Sequence, residues 1–263
     1  MIDQLRALIS VQEPVFQDKL SLRLSCLDEA IGLCNETEFP AFDASILDSI
    51  ISIWSLSDFV ADATSRFPEL LFGLINSGDL LSVYDDSSLN QRLAQKIIEV
   101  STEDDLIRVL RLFRRREMVR IVWRDLLKLS TMKQTTRDMS LLAAQTIDQA
   151  LAWLHNDCCA KWGEPHGRES GLPQRMVVLG MGKLGAYELN VSSDIDLIFA
   201  YPENGETIGG RKSLENQAFF IRGEGLVSSL EDIRDIVITT KNGLPIYIKD
   251  VATVDFGSAV RFG

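Results

Sequence analysis

The sequence predicts an α+β fold: a mostly helical N-terminal region leading into a short run of strands, with a small β-rich tail. Three observations carry that reading. Apolar residues recur at three- and four-residue spacing through residues 1–160. Between Asp157 and Pro173 the texture breaks into "WGEPHGRESGLPQR", rich in Gly and Pro. Beyond that break come short apolar runs bounded by glycines.

Taken in order, "LDSIISIWSLSDFVADAT", "LAQKIIEV" and "DMSLLAAQTIDQALAWLHNDCC" predict helices. Ser101, Thr102, Glu103 and Asp104 precede "LIRVLRLFRRREMVRIVWRDLLKL", setting acidic residues at the positive end of that helix. Pro14, Pro40 and Pro68 punctuate the region. "WGEPHGRESGLPQR" reads as a linker or domain-entry loop. "MVVLGMG" then reads as a strand, "AYELN" as a short helical piece and "DIDLIFAY" as a second strand. A Gly-bearing loop, "PENGETIGG", and a helix, "RKSLENQAFFIR", follow. From Gly223 onward, "DIVITT", "KNG" and "LPIYIKDVATVDF" read as strand, turn and strand. The expected division is 1–160, 161–222 and 223–263.

Composition narrows the function classes. At 263 residues, 46% hydrophobic and 25% charged, the chain can bury a substantial core. A net charge of -11 argues against nonspecific nucleic-acid binding, which needs a basic footprint. The opening "MIDQLRALISVQEP" lacks the pattern of a secretion signal, and no apolar run approaches a bilayer span. The expectation is a cytoplasmic protein with no membrane partner. Cys26, Cys34, Cys158 and Cys159 form no CxxC pair, which suits a reducing compartment. Cys158 and Cys159, with His155 one turn before, read as small helix residues, at least partly buried. A soft-metal site there would need a second ligand pair at suitable spacing.

The chemistry concentrates in "GMGKLGAYELNVSSDIDLIFAYPE". Gly180, Gly182 and Gly185 spell a dinucleotide fingerprint, but Asp194 follows Gly185 by only nine positions. That leaves no room for the crossover helix of a parallel unit, and the carboxylates arrive as a pair at the start of a strand. Lys183 lacks the spacing of a Walker A loop. A strand places residues two apart on one face, so Asp194 and Asp196 would present two carboxylates side by side. Like charges that close call for a cation, and hard oxygen ligands suit Mg²⁺ bridging to substrate phosphates. The preceding glycines let the backbone approach those phosphates, and Ser192 or Ser193 can donate a hydroxyl. This points to a nucleotidyl-transfer site. The bland alternative is an acidic strand edge beside a tight turn.

Upstream, Arg108, Arg111 and Arg115 share one helical face, and Arg116, Arg120 and Arg124 a neighbouring one. Either they cradle phosphate or an acidic partner, or they form a solvated face paired with Glu103, Asp104, Asp105, Glu117 and Asp125.

"LGMGKLGAYELNVSSDIDLIFAYPENG" and the following "GGRKSLENQAFFIR" resemble the N-terminal nucleotidyltransferase half of the glutamine synthetase adenylyltransferase/adenylyl-removing enzymes. "LRLFRRREMVRIVWRDL", "WSLSDFVADATSRFPELL" and "LAWLHNDCCAKWGEP" are similar to the helical segment before that site. The likeness covers roughly residues 40–222, and "ELNVSSDIDLIF" is closer to the adenylyl-removing half. Ala186-Tyr187 departs from the family's small, Gly-containing pair. The resemblance implies a small mixed sheet of the polymerase-β nucleotidyltransferase type. It also implies phosphorolytic removal of AMP from an adenylylated tyrosine of glutamine synthetase, releasing ADP. Carried over, Asp194 and Asp196 hold Mg²⁺, while Gly180, Gly182, Ser192 and Ser193 line the phosphates of ADP or ATP. Lys183 is either an electrostatic helper or a solvated turn lysine. Glutamine synthetase and a PII-type nitrogen-signalling protein are the implied partners.

The tail, "GEGLVSSLEDIRDIVITTKNGLPIYIKDVATVDFGSAVRFG", instead resembles a periplasmic segment of heavy-metal efflux pumps of the resistance-nodulation-division type. The change falls near Ile221 to Gly223, so the chain reads as a truncated adenylyl-removing half fused to a pump segment. The family places a third carboxylate in a "VDxRLRPFG"-like stretch. "TVDFGSAVRFG" mimics it through Asp255, but its neighbourhood matches the pump. The expectation is impaired catalysis, with a non-catalytic binding module or an inactive rearrangement product as the alternatives.

Overall fold

The computed structural model describes residues 1–33, 40, 42–207, 234, 237–241 and 244–251. The fold is α+β, with long helices first and short antiparallel strands after. The chain divides into two compact units, Met1–Ser213 and Leu214–Gly263.

In the first unit, helix boundaries follow the capping chemistry. Helices α1 (Ile2–Ser10) and α2 (Pro14–Leu33) are followed by α3 (Ala44–Leu56) and α4 (Asp58–Arg66). The run expected as one helix breaks at Ser57, whose hydroxyl accepts from Val60 N–H at 3.3 Å and starts α4. Pro68 opens α5 (Pro68–Asn76), where its missing N–H costs nothing. Next come α6 (Ser88–Ile97), α7 (Glu103–Leu126) and α8 (Met132–Trp162). Thr102 caps α7 by accepting from Asp105 N–H at 3.1 Å, behind three acidic residues in the first turn. Thr131 and Gln134 close a capping box on α8.

Two apolar clusters form, and α7 belongs to both. One gathers α1 to α5 around Trp54 and Phe72, with Val119, Val122 and Trp123 of α7. Trp54 is fully buried and donates its indole N–H to Thr64 at 2.9 Å. The other joins α6, α7 and α8 through Leu93, Phe113, Ile121 and Leu142.

The charged face of α7 lies between these clusters and is not a solvated surface. Glu117 and Arg120 are fully buried, and Arg124 nearly so. Arg120 donates to Glu117 at 2.7 Å, and Arg116 reaches both Glu117 and Asp79. Asp79, on the loop after α5, also takes Arg92 from α6 at 2.8 Å. The expectation of a solvated, ion-paired face is therefore corrected: Arg120 is paired but buried, Arg116 is paired and half-buried, and Arg124 is buried and donates to the Leu80 and Leu129 carbonyls at 3.3 and 3.1 Å instead of to a carboxylate. Arg108 keeps the expected surface pairing with Asp105 at 2.8 Å. Asp125 instead accepts from the Thr135 hydroxyl at 2.7 Å.

After α8, the expected linker carries β1 (Pro165–Gly167), paired antiparallel with β4 (Gly205–Thr207) from the "PENGETIGG" loop. Glu203 anchors the join by accepting from Glu169 N–H at 2.8 Å and Ser170 N–H at 3.1 Å. Between them lie β2 (Val177–Gly180), the short α9 (Gly182–Gly185) and β3 (Leu197–Ala200). In the second unit, β5 (Val237–Lys241) pairs antiparallel with β6 (Leu244–Tyr247), as the strand–turn–strand reading expected. The second strand is shorter than expected, because Ile248–Val251 forms a helical turn, α10, in which Tyr247 N–H donates to Asp250 at 2.9 Å. Among the described residues no helix is long and apolar enough to cross a membrane.

Removing one partner of a buried ion pair strands the other charge. Glu117→Gln should lower unfolding free energy by about 3–5 kcal/mol in urea titration, although Gln fills the same space. Burial pushes Asp79 up, but hydrogen bonds from Arg116 and Ser77 and the charges of Arg116 and Arg92 outweigh it, leaving the carboxyl below its usual range. Its stabilisation is therefore present above about pH 4 and is lost as pH falls through the depressed value. Urea titrations from pH 6 to pH 2 should show this loss, and Asp79→Asn should be weaker at neutral pH with a flatter acid limb.

Candidate functional site

The glycine turn and the acid pair meet through strand pairing. Gly180 lies opposite Leu197 in the β2–β3 ladder, and one step beyond it Met181 N–H donates to the Asp196 carbonyl at 2.9 Å. The antiparallel register removes the dinucleotide reading, since that motif opens a parallel crossover.

Two glycines are required by the turn itself. Gly182 begins α9 with φ +54°, a conformation that favours glycine. A Cβ on Gly185 would sit 2.5 Å from the Gly180 carbonyl oxygen, so only hydrogen fits there. The expected helical piece "AYELN" does not form; the helical turn covers Gly182–Gly185 and is followed by a reversal. Tyr187 makes that reversal at φ +59°, with Tyr187 N–H donating to Leu184 and Glu188 N–H to Lys183 at 2.8 Å. Tyr187 thus occupies a glycine-type position, within the Ala186-Tyr187 pair that the family resemblance singles out.

The turn is anchored to α8. Leu184 and Leu189 are buried in the second apolar cluster, beside Met139 and Leu142. Buried Ser140 accepts from Leu189 N–H at 3.0 Å while donating to Thr136 at 2.8 Å. Asn190 then gathers the serines: its side-chain oxygen accepts from Ser193 at 2.6 Å and from Ser192 at 3.4 Å.

The structure brings the proposed site residues into one stretch, with a correction to their setting. Strand β3 begins at Leu197, so Asp194 and Asp196 precede it and are not strand residues. The Asp196 carbonyl still continues the ladder for one bond. Both aspartates are exposed, as are Gly182, Lys183 and Ser192, while Gly180 and Ser193 are half-buried. Neither aspartate carboxylate meets a hydrogen-bond or ion-pair partner among the described residues. Two unpaired carboxylates on one short segment form a hard-oxygen donor set, which fits a divalent cation whose other ligands are phosphates and water. Among the described residues no group of three or more His, Cys, Asp or Glu could hold a metal alone. Asp255 lies outside the described residues.

The cysteine expectations are adjusted too. Cys159 is half-buried, its sulfur 3.5 Å from His155 Nε2, but Cys158 is exposed. Cys34 lies outside the described residues. Sequence reasoning missed Ser140 and Glu203, which act across 49 and 33 positions. It also missed Asn190, whose spacing to Ser193 is a local turn signal.

Residues 47–234 match the family model for glutamate-ammonia ligase adenylyltransferase. The chain belongs to this family. The match runs past residue 222, where the tail was expected to begin. A bifunctional glutamine synthetase adenylyltransferase/adenylyl-removing enzyme from Nitrosococcus oceani is 50% identical over 208 residues, covering 79% of this chain and 21% of the relative. Its namesakes from Pseudomonas syringae and Pseudomonas aeruginosa are both 48% identical, covering 69% and 71% of this chain and 18% and 19% of theirs. The chain thus spans about a fifth of the length of the curated relatives it matches.

The turn's backbone is open to a test of opposite signs. Tyr187→Gly should raise stability by about 1 kcal/mol by relieving the left-handed conformation. Gly185→Ala should lower it by about 1–3 kcal/mol through overlap with the Gly180 carbonyl. Thermal melts of both variants check this, and equal shifts of the same sign would contradict the geometry.

Proposed function

We propose that this chain carries the adenylyl-removing type of nucleotidyltransferase site, acting on adenylylated glutamine synthetase with ADP or ATP as its nucleotide. The observation that carries the reading is the pair of unpartnered carboxylates, Asp194 and Asp196, tied to the glycine turn by the Met181–Asp196 hydrogen bond. Family membership and relatives named for both activities support nucleotidyl transfer. The wording "ELNVSSDIDLIF" favours the adenylyl-removing half.

In this reading Asp194 and Asp196 hold Mg²⁺, which when bound would neutralise charge on the phosphoryl oxygens during transfer. Gly180 and Gly182 keep side chains away from the phosphates. Ser192 and Ser193, positioned by Asn190, offer hydroxyl protons to phosphate oxygens. Lys183, exposed beside the turn, adds positive charge. We further propose a cytoplasmic setting, a PII-type protein as a second partner, and an efflux-pump origin for the tail beyond the family match.

Calorimetry tests the site. ADP or ATP should bind only with Mg²⁺, and Asp194→Asn/Asp196→Asn should abolish binding. Metal-independent binding, or binding unchanged in the double variant, would remove the assignment.

A second reading, nucleotide and partner binding with little turnover, is favoured by the two-carboxylate donor set of the described residues. The family resemblance calls for a third acid. A misplaced phosphoryl-stabilising charge forfeits on the order of a thousandfold or more in rate. ADP release from adenylylated glutamine synthetase plus phosphate should therefore be slight for this chain. Robust release abolished by Asp255→Asn would instead make Asp255 a working third carboxylate.

A further inference from the structure

The charges in and around α7 do not balance. Asp79 is shared by Arg92 and Arg116, and Glu117 by Arg116 and Arg120. Asp86, at the surface, takes Arg137. Asp138 remains for Arg120, at 3.5 Å, and for Arg124 beyond it. Five guanidiniums thus face four carboxylates. Asp125 lies apart, already accepting from Thr135, which in turn meets Ser130 at 3.1 Å.

The surplus sits beside a space. A cavity of about 70 Å³ is lined by Tyr84, Arg124, Ser130, Gln134, Arg137 and Asp138. That is room for several waters or one small anion. One wall residue is an orphan: the buried Tyr84 hydroxyl has no hydrogen-bond partner. Behind the wall the terminal nitrogens of Arg120 make no hydrogen bond, though one ion-pairs with Asp138 at 3.5 Å, while Arg124 donates to the Leu80 and Leu129 carbonyls at 3.3 and 3.1 Å and has no carboxylate of its own. The nearby Arg116 can only donate, so that contact supplies no acceptor for the Tyr84 O–H. The Arg120 guanidinium stacks 3.7 Å from the Tyr84 ring centre, which fixes both groups in place. Burial, then the charge of Arg120, pushes Arg124 below its usual range, the mark of two buried cations held close. A buried unpaired charge and a buried orphan donor are each costly, and one acceptor-only ligand would relieve both.

We propose that this cavity is a binding site for one small oxyanion, a phosphate or carboxylate group. Tyr84 and Arg124 contact it, Arg137 guards the mouth and Arg120 supplies charge from behind. The site uses the arginine face of α7 and shares no residue with the Asp194–Asp196 stretch.

The test is thermal melting of the full chain carrying Asp194→Asn/Asp196→Asn, in EDTA, so that the nucleotide site contributes nothing. Inorganic phosphate, acetate and chloride are titrated separately at constant ionic strength. Phosphate, acetate or both should raise Tm saturably, and which one does so names the oxyanion. Tyr84→Phe, which deletes the orphan hydroxyl, should melt no lower than its parent without anion and should weaken the anion response about tenfold. Arg137→Gln, at a half-exposed position, should fold normally and weaken it as well. Identical Tm in all three salts, or a saturable rise that both variants leave untouched, would overturn the proposal. So would a rise with chloride alone.

Discussion

The carboxylate of Glu117 is the constraint on which the first unit turns. Helix α7 has to serve two apolar clusters at once, so residues 117–124 are buried on every side. Arg120 and Arg124 are consequently carried inside, where a guanidinium is costly unless counter-charge or hydrogen bonds compensate it. Glu117 holds Arg116 and Arg120 together from within the same helix. Asp79 and Asp138 then tie that pair to the loop after α5 and to α8. Hydrophobic burial assembles the helices, and the ionic seam sets how they are mutually fixed.

The placement of the acid pair follows from this arrangement. Helix α8 packs on α7 and offers Ser140, Met139 and Leu142 to the segment that follows β2. Leu184 and Leu189 plug into that surface on either side of the left-handed reversal at Tyr187. The loop bearing Asn190, the serines and the aspartates is therefore held at its start by α8 and at its end by the β2–β3 ladder. The two carboxylates are tolerable there because both are exposed to water.

Much of this was legible in the sequence, for reasons that also mark where legibility stops. The helical region announces itself through periodicity and through the Thr102 start signal of α7, while the caps at Ser57 and Thr131 were not read although they too are local. The acid pair and the glycine turn were readable because Gly182 and Gly185 answer to backbone sterics over a few residues. The strand start was misjudged because alternation of side chains cannot show where ladder hydrogen bonds begin. The burial of Arg120 and Arg124 was missed because the groups packed around them, Tyr84, Leu80 and Asp138, come from other elements. Helical spacing reveals partners three or four positions away, and nothing in a charge run says which side meets water. The β1–β4 pairing was hidden for a similar reason, its two short strands being some 40 positions apart and both Gly-rich.

Membership of α7 in both apolar clusters also bears on how this unit comes apart. A helical bundle whose layers touch only through exposed surfaces can shed one layer while the other persists. Here, peeling away α1 to α5 would uncover Val119, Val122 and Trp123 and cut Asp79 from Arg116. Peeling away α8 would uncover Phe113 and Ile121 and leave Arg120 facing a void. Each partial opening exposes both oil and unpaired charge, so intermediates are penalised twice over. Residues contributing to either layer therefore share one cooperative melting event, and slow amide exchange should extend across the whole helical stack rather than being confined to its longest members.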